Sequence, residues 1–117
     1  MRVGELFKAP QDEGKEKHVP VIEVSEGKGE RGADAVRVVV GKEVQHPNTI
    51  EHHIVWVQLF GVKKDSGQVV DLGRCDFGPT LAQPDVLYHV QNVDQFSSLC
   101  AVEYCNVHGL WDYCVEV

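Results

Sequence analysis

Three of the chain's six histidines fall within Gln45–His53, as His46, His52 and His53. A Pro47-Asn48 turn separates the first from the other two. Neutral imidazole is the commonest protein metal ligand. A second group, Cys105-Asn106-Val107-His108-Gly109, sets a thiol and an imidazole three residues apart on a tight turn. Thiolate with imidazole suits zinc, copper or iron. Residues drawn from His46, His52, His108 and Cys105 could close a zinc shell, as in a structural sandwich. They could also hold copper in a cupredoxin-like electron carrier, but the only methionine is Met1, so the usual downstream axial ligand is missing. A non-haem iron centre would take more nitrogens and leave a position open. Glu51 could orient a ligand imidazole through its second nitrogen, or stand as a solvated charge. His18 and His89, each alone, read as structural.

Strands must position these groups. His18–Val24 and Ala35–Val40 are rich in β-branched residues, with a glycine-rich charged loop between them. Pro20 cannot donate a ladder hydrogen bond and belongs at a strand start or edge. Ile50–Val62 is almost continuously apolar and β-prone, and Lys63–Gly67 reads as the hairpin turn that returns it through Gln68–Phe77. Val86–Val93, Leu99–Tyr104 and Leu110–Val117 complete the set. About seven short strands with almost no helical periodicity predict an all-β antiparallel sandwich or barrel. His52 and His53 are neighbours at the start of a predicted strand. Alternation sends them to opposite faces, so one of them can reach a shared centre; periodicity does not choose which.

Composition narrows the function classes. A chain of 117 residues suffices for one domain and one core. The net charge of −7 and the lack of a basic stripe argue against nucleic acid. No apolar run is long enough for a membrane helix. Met1–Leu6 has no apolar leader, which favours a cytoplasmic location. The four cysteines form no C-x-x-C pair, which excludes zinc ribbons and thioredoxin-like motifs. Cys75, Cys100 and Cys114 read as small buried hydrophobes. Cys114 is close enough in sequence to Cys105 that an oxidised pair would consume the latter's thiol.

Glu16-Lys17-His18-Val19-Pro20, then His46-Pro47-Asn48-Thr49-Ile50-Glu51-His52-His53, then Cys105-Asn106-Val107-His108-Gly109 together resemble the superoxide reductase family, and more closely its neelaredoxin branch. The resemblance runs from about residue 14 to the C-terminus. It implies an immunoglobulin-like antiparallel β-sandwich and one mononuclear non-haem iron. Carried over by motif position, the equatorial ligands are His18, His46, His52 and His108, and the axial ligand is Cys105; His53 is not at a ligand position. Glu16 would occupy the sixth position after oxidation, and Lys17 would lie near it. The reaction implied is the one-electron reduction of superoxide to hydrogen peroxide, with a rubredoxin-like donor and a homo-oligomeric, often tetrameric, assembly. Backbone amides of the 106–109 turn would hydrogen-bond the sulfur and tune the potential. The longer desulfoferrodoxin branch adds a four-cysteine domain, and this chain has no cysteine before Cys75. Residues 1–117 are therefore expected to form one domain, with 1–17 as an N-terminal loop carrying Glu16 and Lys17.

Overall fold

The computed structural model describes residues 1–117. Seven strands form two antiparallel sheets: β1 (Val21–Ser25), β2 (Asp34–Val39), β3 (Ile54–Lys63), β4 (Val69–Asp76), β5 (Asp85–Val90), β6 (Phe96–Cys105) and β7 (Gly109–Glu116). One sheet has the order β1-β2-β5 and the other β4-β3-β6-β7. This is the all-β sandwich expected. The remaining regular structure is four short 3₁₀ turns, at Val3–Leu6, Pro10–Asp12, Glu30–Gly32 and Val93–Gln95. No helix is long and apolar enough to cross a membrane.

The inner faces of the two sheets supply the core. Val36 and Val38 of β2 meet Val57 and Leu59 of β3 and Leu99 and Ala101 of β6, all fully buried. Each such Val or Leu contributes about 1.5–3 kcal/mol by leaving water. Cys105 belongs to the same cluster, so its sulfur marks where the core ends and the site begins.

β3 is shorter than the apolar run suggests. It starts at Ile54, not Ile50, because His52 and His53 are held in a turn by Thr49. Its register against β6 shifts between Ile54 and Trp56. The bulge puts Ile54 and Val57, an odd number of residues apart, on the buried face together. Strand alternation therefore does not govern His52 and His53; the turn before the strand does.

Two features depart from expectation. Cys100 and Cys114 form a disulfide, facing each other in register on β6 and β7 with Cα atoms 4.0 Å apart. They point to the outer face, since Leu99, Ala101, Glu103 and Cys105 occupy the inner one. They are thus not buried hydrophobes, and Cys114 does not threaten Cys105, which lies on the opposite face. Cys75 is free and half-buried. The second feature is Glu103, which sits on the core side of β6 between Val57 and Trp111. It is 0% exposed and neither carboxyl oxygen has a hydrogen-bond partner. Burial, then the charge of Glu13, pushes its pKa up to about 9. At neutral pH Glu103 is a buried carboxylic acid.

Candidate metal centre

The site lies at one end of the sandwich and draws on three segments. The first is the loop from the end of β2 to β3. Gly41 starts it with φ +78°, and a Cβ there would sit 2.6 Å from the His46 backbone nitrogen; the loop needs glycine. His46 is buried, and its Nδ1–H donates to the Pro47 carbonyl at 2.8 Å. That bond leaves the Nε2 lone pair free to face the site. Asn48 ties the loop to the 78–83 segment, donating to the Ala82 carbonyl and accepting from the Thr80 amide. The Thr49 hydroxyl accepts from the His52 amide at 3.1 Å.

The second segment is the β6–β7 turn. The His108 amide donates to the Cys105 Sγ at 3.4 Å, which is the kind of backbone–sulfur bond expected of this turn. Gly109 closes the turn with φ +83°. The third segment precedes β1. The Glu13 carboxylate accepts from the backbone amides of His18 and Val19. The His18 ring stacks on Trp111, with centroids 4.6 Å apart and planes 11° from parallel.

These segments bring four imidazoles into a closed ring. His18 meets His46, His46 meets His52, His52 meets His108 and His108 meets His18, with centroids 4.8–5.0 Å apart and planes 65–83° to one another. The inward atoms are Nδ1 of His108 and Nε2 of the other three. His18 Nε2 and His108 Nδ1 are 3.1 Å apart. Two nitrogens bound at right angles to one ion, each at about 2.1 Å, would stand about 3.0 Å apart. Cys105 Sγ lies on the core side, 3.8 Å from His46 Nε2 and 4.0 Å from His108 Nδ1. Glu16 lies on the solvent side, its Oε2 3.4–3.7 Å from the inward nitrogens of His108, His52 and His18.

The electrostatics suit a cation. Burial, then repulsion from His46 and His108, lowers the His18 pKa to about 4. Burial also lowers that of His46, against the opposing bond to Pro47. Burial raises the Cys105 thiol. His18 and His46 are therefore held as neutral donors, and the sulfur becomes a thiolate when a metal replaces its proton. His52 Nε2 and Glu16 Oε2 are buried without hydrogen-bond partners. Buried polar atoms rarely stay unsatisfied. Two sets, His18–His52–Cys105–His108 and Glu16–His18–His46–His52, each bring their donor atoms within 4.8 Å of one another. Four imidazole nitrogens, one sulfur and a carboxylate on the open side fit a transition metal such as iron.

His53 stands outside this group, donating from Nδ1 to the Thr49 carbonyl. Glu51 enters through its backbone carbonyl, which accepts from Asn106. His89 accepts from the Glu30 amide, away from the site. Lys17 is exposed and lines a groove with Glu13, Pro20, Lys42 and Tyr113. Lys8 and Lys15 line a different groove of about 290 Å³, which opens onto Glu16, His18 and His108. Three supporting residues escaped the sequence reading. Lys8 Nζ and Trp111 Nε1 both donate to the His108 carbonyl, at 3.0 and 3.2 Å, and Glu13 caps the backbone of His18. Trp111 carried a usable signal, a large aromatic just past the His108 turn; Lys8 and Glu13 carried none.

Residues 10–114 match the desulfoferrodoxin family. The chain belongs to it. Superoxide reductase of Pyrococcus furiosus is 40% identical over 108 residues, which cover 83% of this chain and 85% of that one. Neelaredoxin of Megalodesulfovibrio gigas is 30% identical over 124 residues, covering 96% and 94%. Among solved structures, superoxide reductase (neelaredoxin) from Ignicoccus hospitalis superimposes with a TM-score of 0.81 at 35% identity, covering 100% of this chain and 98% of that one. Two of these three relatives carry the name neelaredoxin, the branch that the three histidine and cysteine motifs indicated.

Proposed function

We propose that the protein is a superoxide reductase that converts superoxide, one electron and two protons into hydrogen peroxide. The observation that carries this is the ring of four imidazole nitrogens over a buried cysteine sulfur, in a chain whose relatives bear that name. His18, His46, His52, His108 and Cys105 would hold a mononuclear iron. Bound there, iron supplies the single electron by cycling between its ferrous and ferric states. The other work belongs to the protein. The buried Cys105 thiolate puts negative charge on the core side and donates electron density from there. Imidazoles that ligate the metal would add no charge of their own, and His46 and His18 keep their orientation through the Pro47 carbonyl and the Trp111 stack. Lys17 supplies local positive charge for an anionic substrate, which a protein of net charge −7 otherwise repels. Glu16, its Oε2 already 3.4–3.7 Å from three of the inward nitrogens on the solvent side, would be placed to ligate the metal there and compete with an anionic product. A rubredoxin-like donor and a tetrameric assembly accompany this reading on family resemblance alone. The copper alternative gains nothing, because the only methionine, Met1, is 98% exposed.

Protein produced with iron available is expected to hold one iron per chain and to yield one peroxide per superoxide consumed. Dismutation would give half that yield, and it or a site filled by copper or zinc would overturn the proposal. In the same assay Lys17→Ala is expected to slow superoxide capture and flatten its dependence on ionic strength. An unchanged salt profile removes Lys17 from steering. Glu16→Ala is expected to alter the ferric absorption spectrum more than the rate of reduction. Superimposable ferric spectra would mean that Glu16 never reaches the centre.

A further inference from the structure

Within its own loop the His52 backbone is tied only to Thr49, whose amide and hydroxyl meet its carbonyl and amide. It lies outside any strand, in a loop with no ladder of its own. His46 has its Pro47 bond and His18 its stack on Trp111, and the carbonyl of His108 takes two donors. The Nε2 of His52 has no hydrogen-bond partner in the protein. What flanks His52 is Asn106, the residue after Cys105. The Asn106 amide donates to the His53 carbonyl at 3.2 Å. Its side-chain Oδ1 accepts from the His53 amide at 2.9 Å. Its Nδ2 donates to the Glu51 carbonyl at 3.0 Å. One residue thus grips the backbone on both sides of His52.

The chemistry of the grip is specific. Pairing between β3 and β6 ends at Ile54 opposite Cys105, and Asn106 continues it into the loop. Its side chain must present an acceptor to an N–H and a donor to a carbonyl at once. A carboxamide does both. Aspartate, nearly the same shape, would set an oxygen against the Glu51 carbonyl. Because Asn106 is bonded directly to Cys105, the grip also couples the position of His52 to that of the sulfur.

We infer that Asn106 is a positioning residue for the metal centre, holding His52 at its place in the ligand set. The inference rests on the iron-site reading above and deepens it. The test is the rate at which a ferrous chelator removes iron from the loaded protein, read together with the visible band of the sulfur–iron pair. Asn106→Ala is expected to speed iron release about 10–100-fold and to shift the band, as loss of groups that support a ligand does. Asn106→Asp, which preserves the shape, is expected to do the same. In a His52→Ala background, Asn106→Ala is expected to add less than about twofold, because the histidine it acts through is gone. An equal acceleration in both backgrounds, or none in either, would overturn the inference. Should Asn106→Ala not fold, the Asp variant carries the same comparison. Failure of the parent protein to retain iron would instead overturn the iron-site reading itself.

Discussion

Replacing Cys105 with serine is expected to remove the visible sulfur–iron absorption, to speed iron release at least about a hundredfold and to abolish peroxide production from superoxide. Loss of a group that merely supports a ligand costs about 10–100-fold in affinity, and Cys105 is proposed to be a ligand itself. Its sulfur is 0% exposed at the end of the core, and burial keeps the metal-free group a neutral thiol. A serine hydroxyl in that place has a far higher pKa, so it supplies neither the negative charge nor the soft donor that a thiolate offers. It can still accept the His108 amide hydrogen bond made by the sulfur, so the turn survives. The fold is expected to lose about 1–3 kcal/mol from burying a hydroxyl in an apolar cluster. The spectrum and chelator-driven iron release of Cys105→Ser, compared with Cys105→Ala, check this. A serine variant that keeps the sulfur–iron band would place the sulfur ligand elsewhere. No other cysteine is positioned for it, since Cys100 and Cys114 are paired on the outer face and Cys75 lies on β4.

Glu103→Leu is expected to stabilise the protein by about 3 kcal/mol at pH 7 and to remove much of its loss of stability in mild alkali. The folded-state pKa is raised from 4.5 to about 9 by burial. Below about pH 4.5 the carboxyl is protonated in both folded and unfolded chains and imposes no pH-dependent cost. Between about 4.5 and 9 the folded state holds a proton that the unfolded state has lost. Stability therefore falls as pH rises through that window, by about 1.4 kcal/mol per pH unit. The 2.5 units from 4.5 to 7 amount to about 3 kcal/mol. Leucine has a similar volume, no proton to hold and no orphaned oxygens, and its neighbours Val57 and Trp111 are apolar. Urea unfolding at pH 5 and pH 8, with wild type and variant in the same metal state, checks this. Wild type should lose about 4 kcal/mol more than the variant across that interval. Equally steep profiles for the two proteins would show that Glu103 is not the source. Glu103→Gln should also flatten the profile but gain less, because a buried amide without partners costs about 1–3 kcal/mol.

Glu103 also shows what could not be read in advance. Leu99 and Ala101 alternate with Cys100, Val102 and Tyr104, so both faces of β6 are apolar in sequence and only the packing of the sheets turned the Glu103 carboxyl inward. Strand composition and turn residues announced all seven strands and an antiparallel sandwich or barrel, because β-branched runs and glycine or proline punctuation act locally; the sandwich itself came with the family resemblance. Boundaries were less legible. The apolar run starting at Ile50 is continuous, yet the strand begins at Ile54, because Thr49 bonds to His52 and His53 and bends the chain first. The pairing of Cys100 with Cys114 was not legible either. It depends on the β6–β7 register, which places these two residues opposite each other on the outer face and turns Cys105 inward.

The sequence by itself determined the kinds of donor, the turns that carry them and, through three motifs in order, the family. Those are properties of neighbouring residues, and spacing records them. Tertiary structure alone decided that His18 would stand 3.1 Å from a histidine 90 residues away, with Lys8 and Trp111 on one carbonyl and Asn106 on both sides of His52. Such distances follow from how the two sheets pack and where their strands stop. The histidines near Pro47 are therefore one edge of a centre assembled by the end of the sandwich, where core packing brings the remaining donors within reach.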